Sequence, residues 1–511
     1  MARTLRKAGH AMRILLACVL LGFSLSSFAV AADPVAPTVE NRTEPELTLQ
    51  EAIAAALAHN FTIASARLDP QIARARQLSA AGAFDPVLSA NYTRSDDRTE
   101  PYKPLDGSFS PLFVEKSDTM AVSLGGRLPF GLQYSFVGEA DNYRDSKILL
   151  TDNYSAFGGL RVTQPLLRGF GFGPNLAGVR LARAQRGLAR AAYQQAVTDT
   201  ITRTISAYNN LYYAQQSYQN SVRSRQLAEE LLSENRRRVE VGSISPADVT
   251  IAAARVARID DGVIQSERWL ADARNGFLTL LSADTRPRTD QPLRIAPPAI
   301  APLPTLDRGA DLERAYTRRP DYRQAHETIR RAEAGLAESR SAALPQVDLV
   351  GSYGYNGAGR SLDDAYRAAR RRDTPAWSAG AVVSVSLPMR DGRGRLLASK
   401  LTLEQARTDL ARLEQQIAVE VANAAGQIDA TARRVEATRR ARELARESLT
   451  AEQKRLQVGQ SDTWTVLQFQ ELLSAAEQAE YRAVADYNIA LSEYDRTIGA
   501  TLERHGVTLE D

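Results

Sequence analysis

The residues able to make or break bonds in this chain do not gather into a pattern. His10, His59, His326 and His505 stand far apart, and the single cysteine, Cys18, lies in an apolar N-terminal run. A zinc site needs several nitrogen or sulfur ligands at short spacings, so no metal site and no cofactor are expected. Asp and Glu are plentiful but interleave with Arg along helical stretches as surface charge, and no nucleophile is set beside a base. Gly169-Phe170-Gly171-Phe172-Gly173 has the glycines of a phosphate loop without its Lys-Ser/Thr. It is expected to bend the chain. An enzyme is not the reading.

Legible chemistry sits instead at two short turns, Val241-Gly242-Ser243 and Val458-Gly459-Gln460. Gly242 suits a left-handed position just past a helix end. Beyond it Ser245 suits an N-cap, Pro246 the first helical position, and Asp248 the positive helix end. The second turn is followed by Asp462, Thr465 and Gln468. Good hairpin chemistry alone would account for these residues, and Asp248 and Asp462 can serve simply as caps.

Such turns need long helices to hold them. Leu403, Leu410 and Ile417 recur every seven residues, with Leu413, Val421 and Ile428 on nearly the same stripe. No proline interrupts the chain after Pro388. From Leu396 to Val458 an unbroken helix would span roughly 95 Å at 1.5 Å per residue. That length belongs to a rod, a coiled coil or a tube wall.

The pattern occurs twice. The two Val-Gly pairs lie 217 residues apart, from Gly242 to Gly459. Asn60-Phe61 matches Arg319-Pro320 and Phe84-Asp85-Pro86 matches Ala343-Leu344-Pro345, both 259 residues apart. The chain is therefore read as two internal repeats. Repeat 1 covers 47–282, with a helix at 47–84, strands at 86–165 and helices at 175–282. Repeat 2 covers 306–500, with a helix at 306–343, strands at 345–388 and helices at 396–500. A Pro-rich linker, 283–305, joins them and is expected outside the helical wall. Residues 501–511 form a tail. Thr48 and Glu51 are spaced as a capping box at the first helix, with a break expected near Asn60 and a kink at Pro70.

The strand regions are marked by composition. Residues 84–173 hold 13 of the 34 aromatics, and period-two alternation replaces the helical period there. Val347, Leu349, Gly351, Tyr353 and Tyr355 alternate with small and polar residues, as do Trp377, Ala379, Ala381 and Val383. Strands of about ten residues with one apolar face fit a transmembrane β-barrel. A soluble β-domain set into a helical rod is the alternative. Leu128-Pro129-Phe130-Gly131 reads as a tight turn between two strands.

Arg3, Arg6, Lys7 and Arg13 precede an apolar run that ends at Ala29-Val30-Ala31. This is the form of a secretory signal peptide, 1–31, followed by a flexible leader, 32–46. Leu15-Leu16-Ala17-Cys18 has the outline of a lipoprotein box, but only Ile14 of the apolar run would precede it. Removing 1–31 takes away four positive charges and the cysteine, so the formal net charge of +4 falls to 0. The basicity thus belongs to the targeting segment and does not point to nucleic acid.

Taken together, Leu47-Thr48-Leu49-Gln50-Glu51-Ala52-Ile53 with Ala56-Leu57 and Asn60, Gln164 to Gly171, Arg319-Pro320-Asp321 and the twin Val-Gly turns resemble the TolC-like family of bacterial outer-membrane efflux proteins. The resemblance covers essentially the whole mature chain. It implies a mainly α fold with membrane β: a long antiparallel α-helical barrel, or tunnel, joined to a transmembrane β-barrel shared by a homotrimer. It also implies an outer-membrane location extending into the periplasm of a Gram-negative-type cell. The implied function is a passive duct for tripartite efflux or type I secretion. Its partners would be a periplasmic adaptor (membrane fusion) protein and an inner-membrane pump or secretion ATPase. By the resemblance, Val241, Gly242, Ser243, Val458, Gly459 and Gln460 form the adaptor-docking tip, and Asp248, Asp462, Thr465 and Gln468 are the candidates for a pore constriction. The family often has acidic residues where this chain has Thr465 and Gln468, and a tyrosine where it has Leu456. A non-porous periplasmic or surface coiled-coil scaffold is the competing reading.

The first strand region is longer than the second, 79 residues from Pro86 to Pro165 against 43 from Pro345 to Pro388. An added hairpin is expected, giving six strands where the family usually has four; longer strands with ordered extracellular loops are the simpler alternative.

Overall fold

The computed structural model describes residues 46–99, 112–146, 150–242, 244–281, 293–458 and 460–509. The expected signal peptide, nearly all of the leader, the first half of the linker, Ser243 and Gly459 lie outside the described residues.

The chain opens with α1 (Leu49–His59), α2 (Phe61–Ala66) and α3 (Leu68–Ala81). Thr48 caps α1 with a full capping box: its hydroxyl accepts from the Glu51 N–H, and the Glu51 carboxylate accepts from the Thr48 N–H at 2.9 Å. The expected break falls at Asn60, which closes α1 and whose side chain caps α2 through the Thr62 N–H at 2.8 Å. The second break comes at Arg67, three residues before the kink expected at Pro70. Pro70 sits in the first turn of α3, where no intrahelical N–H is required.

Four strands follow: β1 (Val87–Thr99), β2 (Phe113–Arg127), β3 (Gln133–Asp145) and β4 (Asn153–Pro165). After a short α4 (Phe172–Asn175), α5 (Ala177–Glu240) and α6 (Pro246–Leu281) form the first helix hairpin. The second half of the chain runs α7 (Arg308–Arg318), α8 (Pro320–Ala342), β5 (Gln346–Gly359), α9 (Leu362–Arg371) and β6 (Pro375–Ser384). It then forms the second hairpin from α10 (Arg390–Gln457) and α11 (Thr463–Thr497), and ends with a single turn, α12 (Thr501–Arg504). Residues 345–388 were expected to hold only strands. The ten-residue α9 appears there because Ser361 caps it and Leu362, Ala365 and Ala369 share one face.

The six strands make one antiparallel sheet in the order β1-β2-β3-β4-β5-β6. The turn at Leu128–Leu132 joins β2 to β3, which supplies the expected hairpin. β4 and β5, distant in sequence, pair along their length, with Leu160 opposite Tyr353.

The helices are long because nothing stops them. α5 and α10 have 64 and 68 residues, so each rises about 100 Å. The heptad stripe of α10 is buried where it meets α11. Ile417, Val421 and Ile428 pack with Tyr487, Tyr494 and Ile498. A second cluster gathers Ala52 and Ala56 of α1, Tyr208 and Leu211 of α5, and Phe277 of α6. The described part of the linker is pinned to this cluster. Leu47 and Ile295 form a parallel bridge, Ile295 is buried, and the Tyr208 hydroxyl donates to the Ala296 carbonyl at 2.6 Å. Arg319, between α7 and α8, is buried yet fully engaged, reaching Asp321 at 2.6 Å and Glu420 at 2.8 Å. A buried guanidinium is tolerated only with such partners.

The glycine run bends the chain from sheet to helix. Gly169 and Gly171 have φ of +84° and +81°. Asn175 donates to both of their carbonyls, at 2.7 and 2.8 Å. The β2–β3 turn seats against this bend. The Gly171 N–H donates to the Phe130 carbonyl at 3.0 Å, and a side chain on Gly131 would strike the Gly169 carbonyl.

Candidate functional site: the helix-hairpin tip and the sheet faces

At the first tip, α5 ends at Glu240 and Val241 closes it. Gly242 takes φ +71°, the left-handed conformation that a Cβ resists. Its N–H donates to the Val239 carbonyl at 2.9 Å. Ser245 and Asp248 then cap α6 reciprocally. The Ser245 hydroxyl accepts from Ala247, and the Asp248 carboxylate accepts from the Ser245 N–H at 3.1 Å. Asp248 is exposed, so this cap leaves its charge open to solvent.

The second tip is built on the same plan with one addition. The Gln460 N–H donates back to the Arg455 carbonyl at 2.9 Å. Asp462 caps α11 through the Thr465 N–H at 2.7 Å, and that backbone hydrogen bond holds its carboxyl below the ordinary range. The addition is Glu452, buried near the end of α10, which accepts from the Ser461 hydroxyl and lies 3.4 Å from Arg455. Sequence reasoning missed Glu452. The available signal is its position one heptad after the buried Ala445, where an acid stands in an otherwise apolar stripe.

Of the residues expected at the tip, Val241 and Val458 are 75% and 68% exposed, large values for apolar side chains. Gln460 is exposed. Of the constriction candidates, Asp248 and Asp462 are caps, Thr465 is half-buried at its cap, and Gln468 is exposed on α11.

Ion pairs tie the two hairpins together above the tips. Glu471 of α11 meets Arg255 and Arg258 of α6 at 2.6 and 2.8 Å. Asn220 of α5 donates to the Ser474 carbonyl at 2.9 Å. Within the second hairpin, the buried Glu477 and Glu480 are met by Arg446 at 3.2 Å and Arg442 at 3.0 Å.

The sheet has two chemically different faces. One row of partners crosses all six strands as Leu88, Leu124, Phe136, Leu160, Tyr353 and Trp377. The adjacent row, on the opposite face, reads Val87, Gly125, Ser135, Arg161, Ser352 and Ser378. On that second face Arg161 and Glu139 form a two-bond ion pair at 2.6 Å. Tyr92, Leu349 and Tyr353 on the apolar face are each more than half exposed.

Among the described residues no group of His, Cys, Asp and Glu is placed to hold a metal, and no helix is long and apolar enough to cross a membrane. The second fact says nothing of strands.

No curated protein matches this chain. Solved structures share its fold. The outer-membrane channel OprN aligns with a TM-score of 0.66 at 20% identity, over 88% of this chain and 90% of that one. The CmeC outer membrane channel of Campylobacter jejuni gives 0.66 at 14%, over 94% of each chain. The MtrE outer membrane channel of Neisseria gonorrhoeae in its open state gives 0.62 at 19%, over 94% and 98%. The profile of the outer membrane efflux protein family matches residues 137–282 and 312–500, well over half of the sequence, and the chain belongs to that family.

Proposed function

We propose that this protein is the outer-membrane duct of a tripartite efflux or type I secretion system. Three copies share one closed barrel, and their helices form a tunnel into the periplasm that meets an adaptor at the two Val-Gly tips. The observation that carries this reading is the sheet, with its unbroken apolar row, its polar reverse face and two edges. β1 and β6 have strand neighbours on one side only. In lipid, unpaired edge groups cost several kcal/mol each, so spanning sheets close into barrels. Six strands do not enclose a wide pore, whereas three copies give eighteen, in the range that leaves an aqueous channel.

The helices support the same assembly. Ile251, Ile264, Val419 and Leu472 are more than half exposed on them. Burial between copies would take these side chains out of water. The matched spacing of the two halves supports a duplicated origin for the wall. In this reading the duct is passive and an inner-membrane pump or secretion ATPase drives transport. The non-porous scaffold does not account for an apolar row on a sheet with open edges.

The test is reconstitution. The purified protein should migrate as a heat-modifiable trimer and give stepwise conductance in planar bilayers. A monomer that stays water-soluble and never conducts would return the scaffold reading.

A further inference from the structure

One helix packs against a face of the sheet instead of lying beyond the strand ends. α9 packs on the face that carries Phe136, Leu160 and Tyr353, which beyond Ala140 also bears Asn142 and the Arg144–Asp118 ion pair. Its Ala365 is fully buried against Ala140 and Ala156, which face each other across β3 and β4 on that side. Gly357 and Gly359 of β5 leave the space it occupies, since a side chain on either would run into the α9 backbone at Ala365. The helix ends at Arg372, whose φ is +60° and whose guanidinium sits 5.9 Å over the ring of Tyr355. Tyr355 adjoins Tyr353, which pairs with Trp377, so α9 ends against an aromatic cluster on the apolar face. In membrane barrels such aromatics mark the headgroup level. The opposite side of α9 carries Arg367, Arg370 and Arg371, three and four residues apart and all exposed. Arg367 is satisfied by Asp363 and Asp364 at 3.0 and 2.8 Å. Among the described residues no carboxylate lies within ion-pair distance of Arg370, Arg371 or Arg372.

We propose that α9 is a clamp for phosphorylated lipid headgroups: Arg370, Arg371 and Arg372 hold the phosphates of an outer-leaflet glycolipid against the rim of the barrel. Three exposed guanidiniums with no carboxylate partner among the described residues, at the end of an amphipathic helix at headgroup level, offer planar N–H forks and positive charge to phosphate oxygens. The apolar face beneath Tyr353 and Trp377 would receive the acyl chains. This rests on the barrel reading above, because only then does the apolar face meet lipid.

The experiment uses the full-length trimer in detergent with bisphosphorylated lipid A as probe, read by native mass spectrometry. The wild type should retain the lipid. Arg370→Gln/Arg371→Gln/Arg372→Gln should weaken retention at least tenfold, the corresponding triple Lys variant should keep most of it, and bilayer conductance should be unchanged in both. Dephosphorylated lipid A should bind the wild type no better than it binds the triple Gln variant. Equal retention by the wild type and the triple Gln variant overturns the clamp, as does equal binding of dephosphorylated lipid. So does saturation by inorganic pyrophosphate that lipid A cannot compete away, which would mark a free-phosphate site. A conducting trimer that binds no lipid overturns only the clamp, and a protein that never conducts overturns the duct reading with it.

Discussion

Glu471 on α11 accepts the Arg255 guanidinium of α6 at 2.6 Å, so one side-chain pair joins the two helix hairpins a few turns from their tips. Arg258 reaches the same carboxylate at 2.8 Å, and Arg255 also donates to the Leu467 carbonyl at 3.4 Å. If the tunnel opens by spreading its hairpins, this cluster opposes the movement. A ligand or partner can open it only by binding the open form better. Glu471 is about half exposed, so its pairs contribute on the order of 0.5–1 kcal/mol to stability. Glu471→Gln should therefore melt within a few degrees of the wild type while raising single-channel open probability severalfold in bilayers. Unchanged gating with unchanged stability would show that these pairs do not restrain opening.

The tips make a second prediction. Gly242 already occupies left-handed backbone, where a Cβ costs roughly 1–2 kcal/mol. Gly242→Trp, alone or with Gly459→Trp, should distort the turns and obstruct a partner packed on Val241 and Val458. Export should be lost while trimers still form, since the sheet is at the far end of the helices. Crosslinking from cysteines at Ser243 and Gln460 to the adaptor should fall in parallel. Normal export with normal crosslinking in the double variant would leave the glycines as helix-hairpin punctuation.

Charge near the tips gives a third. Asp462 and Asp248 are both caps, and Asn caps a helix about as well as Asp. Asp248→Asn/Asp462→Asn should thus change stability by less than about 1 kcal/mol while removing two carboxylates per copy. If these groups line the narrowest part of the pore, block by trivalent cations should weaken at least tenfold. With Thr465 and Gln468 beside them instead of acids, the block should be weak in the wild type already. Identical block in both proteins would place the constriction elsewhere.

The long helices were legible because burial and periodicity agree. Of the stripe, Leu403, Ile417, Val421 and Ile428 are buried and Leu410 and Leu413 half-buried. The strands were legible from alternation and the added hairpin from length. Caps at Thr48, Ser245 and Asp462 could be read from local chemistry, which acts within four residues. What stayed hidden depends on distant packing. Glu452 is buried beside Arg455, and Ser461, across the turn, donates to it. Glu471 looks like any helix surface acid until α6 is beside it. α9 is too short for a period to declare itself, and the glycines that seat it, Gly357 and Gly359, read as ordinary strand residues. Proline at position 70 predicts a kink there, whereas the interruption falls at Arg67 because the first turn of a helix accepts proline.

The last prediction concerns Asp495, buried near the end of α11. Burial pushes its carboxyl up to about 6, against an ordinary 3.8, despite Arg504 at 2.8 Å pulling the other way. One of its oxygens has no hydrogen-bond partner. The folded protein therefore keeps a proton on Asp495 at pH values where the unfolded chain has lost it. Its contribution is fully favourable below about pH 4 and declines as the pH rises through 6, because the native state must then hold a poorly solvated charge. A neutral amide in its place would mimic the protonated form at every pH, and Arg504, partly exposed, can turn to solvent. Asp495→Asn should melt close to the wild type at pH 4 and several degrees above it at pH 7.5, so the two curves of melting temperature against pH should diverge between 4 and 7. A variant destabilised by the same amount across that range would mean that the ion pair with Arg504 outweighs the burial of the carboxylate.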